Sequence, residues 1–334
     1  MNLVKKITIV VLCFVLCISL VACSSSGKDN TCYNDWDEFY SAIAKNCVDF
    51  SKSYTYKTTL KMGDFSYYKL RDAITEIDGV VAGFMYGVTW KVKNCGSYQE
   101  VEMYFKYTVS KSQYKKVCTI AKDIAKSMRG WTDYEKIKAT HDFLIDINDY
   151  NIRSDGAYRA LYKGQTNCNG YALAFMAIMR ECGIPCTYET GDNHAWNSVM
   201  LEGHWYNIDV TWDDTGVWDK EGGILYNNFL KSNADWASHE HGNATATTSY
   251  NGDLTLHKDI PNYATIYMIR DIILIIVGLV AVFFINRFIQ KKKREKQKLR
   301  PSTALHPENS LVVPNYNSVQ PQNTITNDDI ICGQ

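Results

Sequence analysis

One cysteine, one histidine and one aspartate, each placed at the edge of a different predicted element, constrain this chain more than anything else in it. All three fall between Gly164 and Asp214. The stretch begins Gly164-Gln165-Thr166-Asn167-Cys168-Asn169-Gly170-Tyr171-Ala172 and continues as an apolar run to Cys182. After Gly183-Ile184-Pro185-Cys186 come Asn193-His194-Ala195-Trp196-Asn197, and then Trp205-Tyr206-Asn207-Ile208-Asp209-Val210-Thr211-Trp212-Asp213-Asp214. A fold that gathers these three side chains holds a thiol nucleophile, a base and a group to orient that base.

The run from Tyr171 to Met179 is too rich in Ala and Met for a strand, and Gly183 and Pro185 are helix-stop signals. Gly164 to Asn167 is a polar loop, so Cys168 is expected at a helix N-terminus. There, free backbone N–H groups and the helix dipole stabilise negative charge, on the sulfur and on an oxyanion. Residues 194–201 and 204–212 read as two strands around a Glu202-Gly203 hairpin turn. Pairing Leu201 with His204 sets His194 opposite Thr211 and Trp196 opposite Asp209. His194 and Asp209 then share one face as diagonal neighbours, roughly 7–8 Å apart at Cα. The other face, Val199, Leu201, Tyr206, Ile208, Val210 and Trp212, reads as core.

The expected roles follow. Cys168 attacks an acyl carbon, His194 takes and returns the proton, and Asp209 fixes the imidazole. The Cys168 N–H is one oxyanion donor and Gln165 a candidate second. Trp196 and Trp212 are candidates for shielding the His–Asp pair or binding substrate. Cys168-x-Gly170-Tyr171-Ala172, Gly183-Ile184-Pro185-Cys186, His194-Ala195-Trp196-Asn197 and Trp205-Tyr206-x-Ile208-Asp209-Val210-Thr211-Trp212-Asp213 together resemble the bacterial transglutaminase-like superfamily. The resemblance covers roughly residues 130–240. It implies an α+β, papain-like core, in which a Cys-bearing helix packs on an antiparallel sheet carrying His and Asp. It also implies catalytic Cys168, His194 and Asp209, matched by motif position. The superfamily includes cross-linking enzymes, peptidases, amidases and members that have lost catalysis, so the reaction stays open. Against these readings stand packing roles for the same residues, and a zinc site from Cys182, Cys186 and His194 whose spacing fits no common pattern. No organic cofactor or metal is required, and the chain has no EF-hand-like loop for calcium.

Around this centre the chain divides by composition. Lysine plus arginine and aspartate plus glutamate each number 36 in 334 residues, which argues against nucleic acid as the main partner. Residues 1–22 read as a signal peptide, with Lys5 and Lys6 ahead of an apolar core. Leu20-Val21-Ala22-Cys23 resembles a bacterial lipobox, which implies acylation of Cys23. Residues 23–30 then form a lipidated, flexible tether. Residues 31–128 read as an N-terminal α+β region with helices near 35–50, 70–77 and 111–128 and strands near 54–60 and 99–109. Thr132-Asp133-Tyr134-Glu135 is a capping box opening the next helix, on which His141 reads as structural. Residues 129–258 make up the transglutaminase-like domain, with Leu225 to Leu230 as a further strand and His239 and His241 unassigned.

Residues 265–289 read as a transmembrane helix, although the uninterrupted apolar part, Ile272 to Ile285, is short of the ~20 residues usually needed. The basic cluster beginning at Lys291 predicts a cytoplasmic C-terminus, and residues 290–334 read as a basic, then disordered tail. The expectation is a thiol enzyme in the cell membrane, lipid-anchored and single-pass, with its globular part outside. Its partners would be a protein or peptide substrate at the cell surface and membrane lipid. The rival is a non-catalytic module holding a surface protein or glycan.

Overall fold

The computed structural model describes residues 26–191, 193–217, 223–236 and 246–298. Cys23, Trp218, His239, His241 and the tail beyond residue 298 lie outside the described residues. The chain forms one compact unit extending to Leu274 and a second beginning at Ile275.

The first unit opens with β1 (Ser26–Tyr33), which pairs in parallel with β2 (Ser53–Thr58). This corrects the expected tether over residues 26–30. Its polar residues give no alternation to read, but the free edge of β2 supplies their backbone with partners. Between them lies α1 (Trp36–Val48), capped by Asp35, whose Oδ1 accepts from Asp37 N and Glu38 N. Helix α2 (Tyr67–Phe84) is longer than the hydrophobic spacing predicts and is broken at Asp78. Asp78 Oδ1 accepts from Val80 N at 3.0 Å and Val81 N at 3.2 Å, so this side chain restarts the helix. Strands β3 (Met85–Asn94) and β4 (Gln99–Tyr107) complete a sheet of order β1-β2-β4-β3. Sequence reading overlooked β3, an edge strand whose residues are largely exposed. Helix α3 (Lys111–Ser127) follows, opened by a capping box from Ser110 and Gln113.

Helix α4 (Asp133–Asp146) carries the expected capping box between Thr132 and Glu135. The two-residue strands β5 (Asp149–Tyr150) and β6 (Gln165–Thr166) flank α5 (Ala157–Tyr162). They lead to α6 (Cys168–Cys182), the central helix, buried continuously from Gly170 to Met179. Gly183, at φ 73°, ends it in the left-handed region that favours glycine. A three-stranded antiparallel sheet packs on α6, formed by β7 (Cys186–Gly191), β8 (His194–Leu201) and β9 (His204–Ile208). The hairpin register is the predicted one, Leu201 opposite His204 through Asn197 opposite Ile208. Glu202 and Gly203 both take positive φ, as a tight two-residue turn of this type requires.

Two expectations fail locally. Residues 209–212 do not continue the strand: β9 stops at Ile208 and α7 (Val210–Asp213) begins. Asp209 causes the switch, because its Oδ1 accepts from Thr211 N and Trp212 N and caps the new helix. Leu225 to Leu230 is not a strand but a turn-rich segment, followed at Lys231 by an isolated bridge to Asn207 of β9. Its ordering comes from Asn228, whose carbonyl accepts from Asp209 N at 3.0 Å.

Residues 26–127 share their core with α6. A Cβ at Gly79 would lie 2.3 Å from Met176 Cε, and one at Gly83 2.2 Å from Leu173 Cδ2, so α2 approaches α6 closely at these glycines. Arg180 of α6 donates to both carboxylate oxygens of Asp78, at 2.9 and 3.0 Å. Helix α8 (Tyr263–Lys298) begins in this unit. Lys116 Nζ and Tyr162 Oη hold Asp271, and Tyr267 Oη donates to Asp123. Among the described residues, α8 is the one helix long and apolar enough to cross a membrane, over Thr265–Glu295.

Candidate active site

Cys168 is the first residue of α6, half-buried, with Asn167 as the N-cap. Asn167 Oδ1 accepts from Gly170 N at 3.2 Å. The N–H groups of Cys168 and Asn169 belong to the first turn and have no carbonyl within the helix to bond. The loop before Cys168 is held by Asn167 N donating to Ser154 O at 2.8 Å. Gly170 is required by this packing: a Cβ there would lie 1.7 Å from Thr166 Oγ1 and 2.9 Å from the Gly156 carbonyl.

His194 is the first residue of β8, and its Nε2–H donates to Asp209 Oδ2 at 2.6 Å. Nδ1 is the ring nitrogen left for the thiol of Cys168. Asp209 is fully buried, and its two oxygens divide the work. Oδ2 takes the imidazole, and Oδ1 takes the two N–H groups that open α7. The contact therefore depends on the strand ending at Ile208, not on its continuing. Burial of the imidazole opposes its charged form, but hydrogen bonds with Asp209 and Cys168 outweigh this and push His194 up to about 9.

Two indoles flank the imidazole. Trp196 is stacked with its centroid 6.0 Å from that of His194, and Trp212 lies at 5.6 Å, tilted. Trp212 thus sits against the histidine and not in the apolar core, because α7 turns it away from the strand face. Gln165 is exposed in β6, beside the fully buried Thr166. The zinc alternative fails on register. Cys186 pairs with Val199 and His194 with Gly191, which puts the two five residues apart along the ladder, roughly 17 Å. The seven cysteines among the described residues are free thiols.

Three residues beside the thiol were missed from sequence. Tyr188 of β7 donates from Oη to Asn169 Oδ1 at 2.9 Å, and Asn169 follows Cys168 directly. Burial, countered by Arg71 and reinforced by the charge of Cys168, pushes Tyr188 up to about 12. Tyr150 of β5 is also raised, by burial first and then by Cys168 and Asp209. Hairpin alternation places Tyr188 on its face once β7 is recognised. Arg71 and Tyr150 carry no local signal, because only the tertiary fold brings them near.

Behind the site lies a buried charge cluster. His141, fully buried, donates from Nδ1 to Asp142 at 2.9 Å and from Nε2 to Asp213 at 3.2 Å. Lys138 Nζ donates to Asp142 at 2.6 Å and to Tyr226 Oη at 2.7 Å. Two cations face two carboxylates, and the carboxylates raise His141 against the effect of burial. Asp213 Oδ1 also accepts from Asn228 N and Nδ2. Asn228 in turn holds the backbone of Asp209, so the structural reading of His141 extends to the support of the site.

The family model described as Transglutaminase-like superfamily matches residues 120–210. The chain is 31% identical to the human kyphoscoliosis peptidase and 30% identical to the mouse protein, in matches spanning 29% of this chain. The chain covers 19% of the length of these relatives. Similar solved structures include a TGase, 13% identical with a TM-score of 0.29, covering 48% of this chain and 51% of that one. Another is a putative cysteine protease from Cytophaga hutchinsonii, 16% identical with a TM-score of 0.27, covering 52% of this chain and 82% of that one. Residues 120–210, which carry Cys168, His194 and Asp209, are thus a transglutaminase-like domain.

Proposed function

We propose that the protein is a thiol enzyme that cleaves or exchanges amide bonds in a protein or peptide through a thioester at Cys168. The observation that carries this reading is the imidazole of His194, bonded at 2.6 Å to the buried carboxylate of Asp209 and raised, against burial, by that carboxylate first and then by Cys168. In the first step the thiol proton passes to His194 as Cys168 Sγ bonds to the amide carbon. The carbonyl oxygen becomes an oxyanion beside the Cys168 N–H, with Gln165 as the proposed second donor. The C–N bond then breaks, and His194 gives its proton to the departing amine. In the second step water or a lysine amine attacks the thioester, His194 takes its proton, and the thiol is restored. Water yields a peptidase or amidase, and a lysine amine yields a cross-link. Trp196 and Trp212 exclude bulk water from the His194–Asp209 pair. None of these steps needs a metal or organic cofactor.

The proposed setting is the outer face of a cell membrane, with lipid on Cys23, α8 spanning the bilayer and the basic run from Lys291 on the cytoplasmic side. The full chain in detergent, with a glutamine-containing protein and a labelled primary amine, tests the chemistry beside Cys168→Ala. Mass spectrometry scores amine incorporation, cleavage and deamidation. Any of these products, lost in Cys168→Ala, supports the reading. Absence of all three, with equal alkylation of Cys168 in wild type and His194→Ala, contradicts it in favour of a binding module.

A further inference from the structure

Arg71 is a cation brought against Tyr188, which bonds the residue next to Cys168, by a part of the chain that contributes nothing else to the chemistry. It lies on α2, half-buried, with its guanidinium carbon 5.3 Å from the centroid of the Tyr188 ring. The Tyr188 hydroxyl in turn donates to Asn169, the neighbour of Cys168, and both Arg71 and Cys168 act on that phenol. Arg180 and Arg270 each hold a carboxylate, whereas Arg71 forms no ion pair among the described residues. The nearby Asp155 is engaged by Asn169 Nδ2. Stacking on an aromatic ring fixes the plane of a guanidinium and leaves its N–H edge free for a planar anion. Tyr68, one turn earlier on the same face of α2, is 76% exposed and extends this wall with an aromatic surface.

We propose that Arg71 is a specificity-determining residue, which binds a carboxylate of the substrate beside the amide that Cys168 attacks. The inference rests on the thiol-enzyme reading and adds the substrate class: peptides with a negative charge close to the scissile bond. That charge is either an acidic side chain or a free terminal carboxylate. It also gives residues 26–127 a role as one wall of the cleft.

Iodoacetate and iodoacetamide test the cation directly, because they differ in a carboxylate and share one chemistry. In both, Cys168 sulfur bonds to carbon, iodide leaves with the electron pair, and the thiol proton goes to His194. The full chain in detergent is alkylated with each, and the rate at Cys168 is read by peptide mapping against the other thiols. The readout is the ratio of the two rates, which partial unfolding does not bias towards either reagent. Arg71→Gln is expected to lower the iodoacetate-to-iodoacetamide ratio about three- to tenfold, the range for one partly exposed ion pair. Arg71→Lys is expected to retain most of the ratio, and Lys91→Gln, an equal loss of charge elsewhere, all of it. Protection of Cys168 by short peptides then identifies the source. Protection by an internal-Glu amide peptide points to a side chain, and protection by an all-Ala free acid points to a terminus. Selective Cys168 alkylation with equal ratios in wild type and Arg71→Gln overturns the role of Arg71 alone. Failure of Cys168 to react ahead of the other thiols overturns this proposal together with the thiol-enzyme reading.

Discussion

Asp209→Asn removes a charge from the site while keeping its shape. Asparagine also accepts at a helix N-cap, so the bonds from Thr211 N and Trp212 N that open α7 survive the exchange. What is lost is the carboxylate facing His194. The rise of that imidazole from 6.5 to about 9 corresponds to ~3 kcal/mol between its two protonation states. Its side chain is 16% exposed, so solvent screens the interaction only in part. Asp209 is the first of the two hydrogen-bonding partners that raise His194, so its removal should cost ~1.5–2 kcal/mol of imidazolium stabilisation, or tenfold and more in rate. Cys168 alkylation by neutral iodoacetamide, followed between pH 6 and 9, should slow by about that factor near pH 6.5. Stability carries a second signature. A group raised on folding stabilises fully below its unfolded value and loses that contribution as pH rises through its folded value. Wild type should therefore lose stability from about 6.5 through about 9, and Asp209→Asn should show a flatter dependence there. Superimposable alkylation and denaturation profiles for the two proteins would refute the reasoning.

Other parts of the framework make separate predictions. His141→Leu leaves buried Asp213 with only the neutral donors of Asn228 among the described residues, while Asp142 keeps Lys138, and should cost ~3–5 kcal/mol in urea denaturation. Gly170→Ala forces a Cβ into Thr166 and the Gly156 carbonyl, and should cost ~1–3 kcal/mol with loss of Cys168 reactivity even in protein that remains folded. Arg180→Ala strips Asp78 of its cation at the break in α2. Its expected cost is ~1–3 kcal/mol, measured by thermal denaturation, with a lowered iodoacetate-to-iodoacetamide ratio because α2 carries Arg71.

Much of this arrangement is legible in the residues because it rests on local rules. Asn167 before an apolar run, Gly183 after it, and Glu202-Gly203 between alternating segments each specify one local geometry, and the structure follows them. The ending of β9 was misread because Asp209 serves two masters. Its capping bonds look, in sequence, like one more alternating position. Leu225 to Leu230 has strand composition, but its order comes from Asn228 answering Asp209 and Asp213, a tertiary relation invisible to periodicity. Ser26 to Tyr33 shows the reverse, polar residues made into a strand by a vacant sheet edge. Arg71 lies 97 positions before Cys168 in the sequence, and only the close approach of α2 to α6 at Gly79 and Gly83 connects them.

The central claim is that Cys168 forms a covalent acyl intermediate. Its most direct test is the intact mass of the full chain after brief exposure to a glutamine-containing peptide and acid quench. The account predicts an adduct of the peptide's acyl mass located on Cys168, removed by hydroxylamine and absent from Cys168→Ala. Peptide products formed equally by Cys168→Ala, with no adduct on the wild-type thiol, would contradict it.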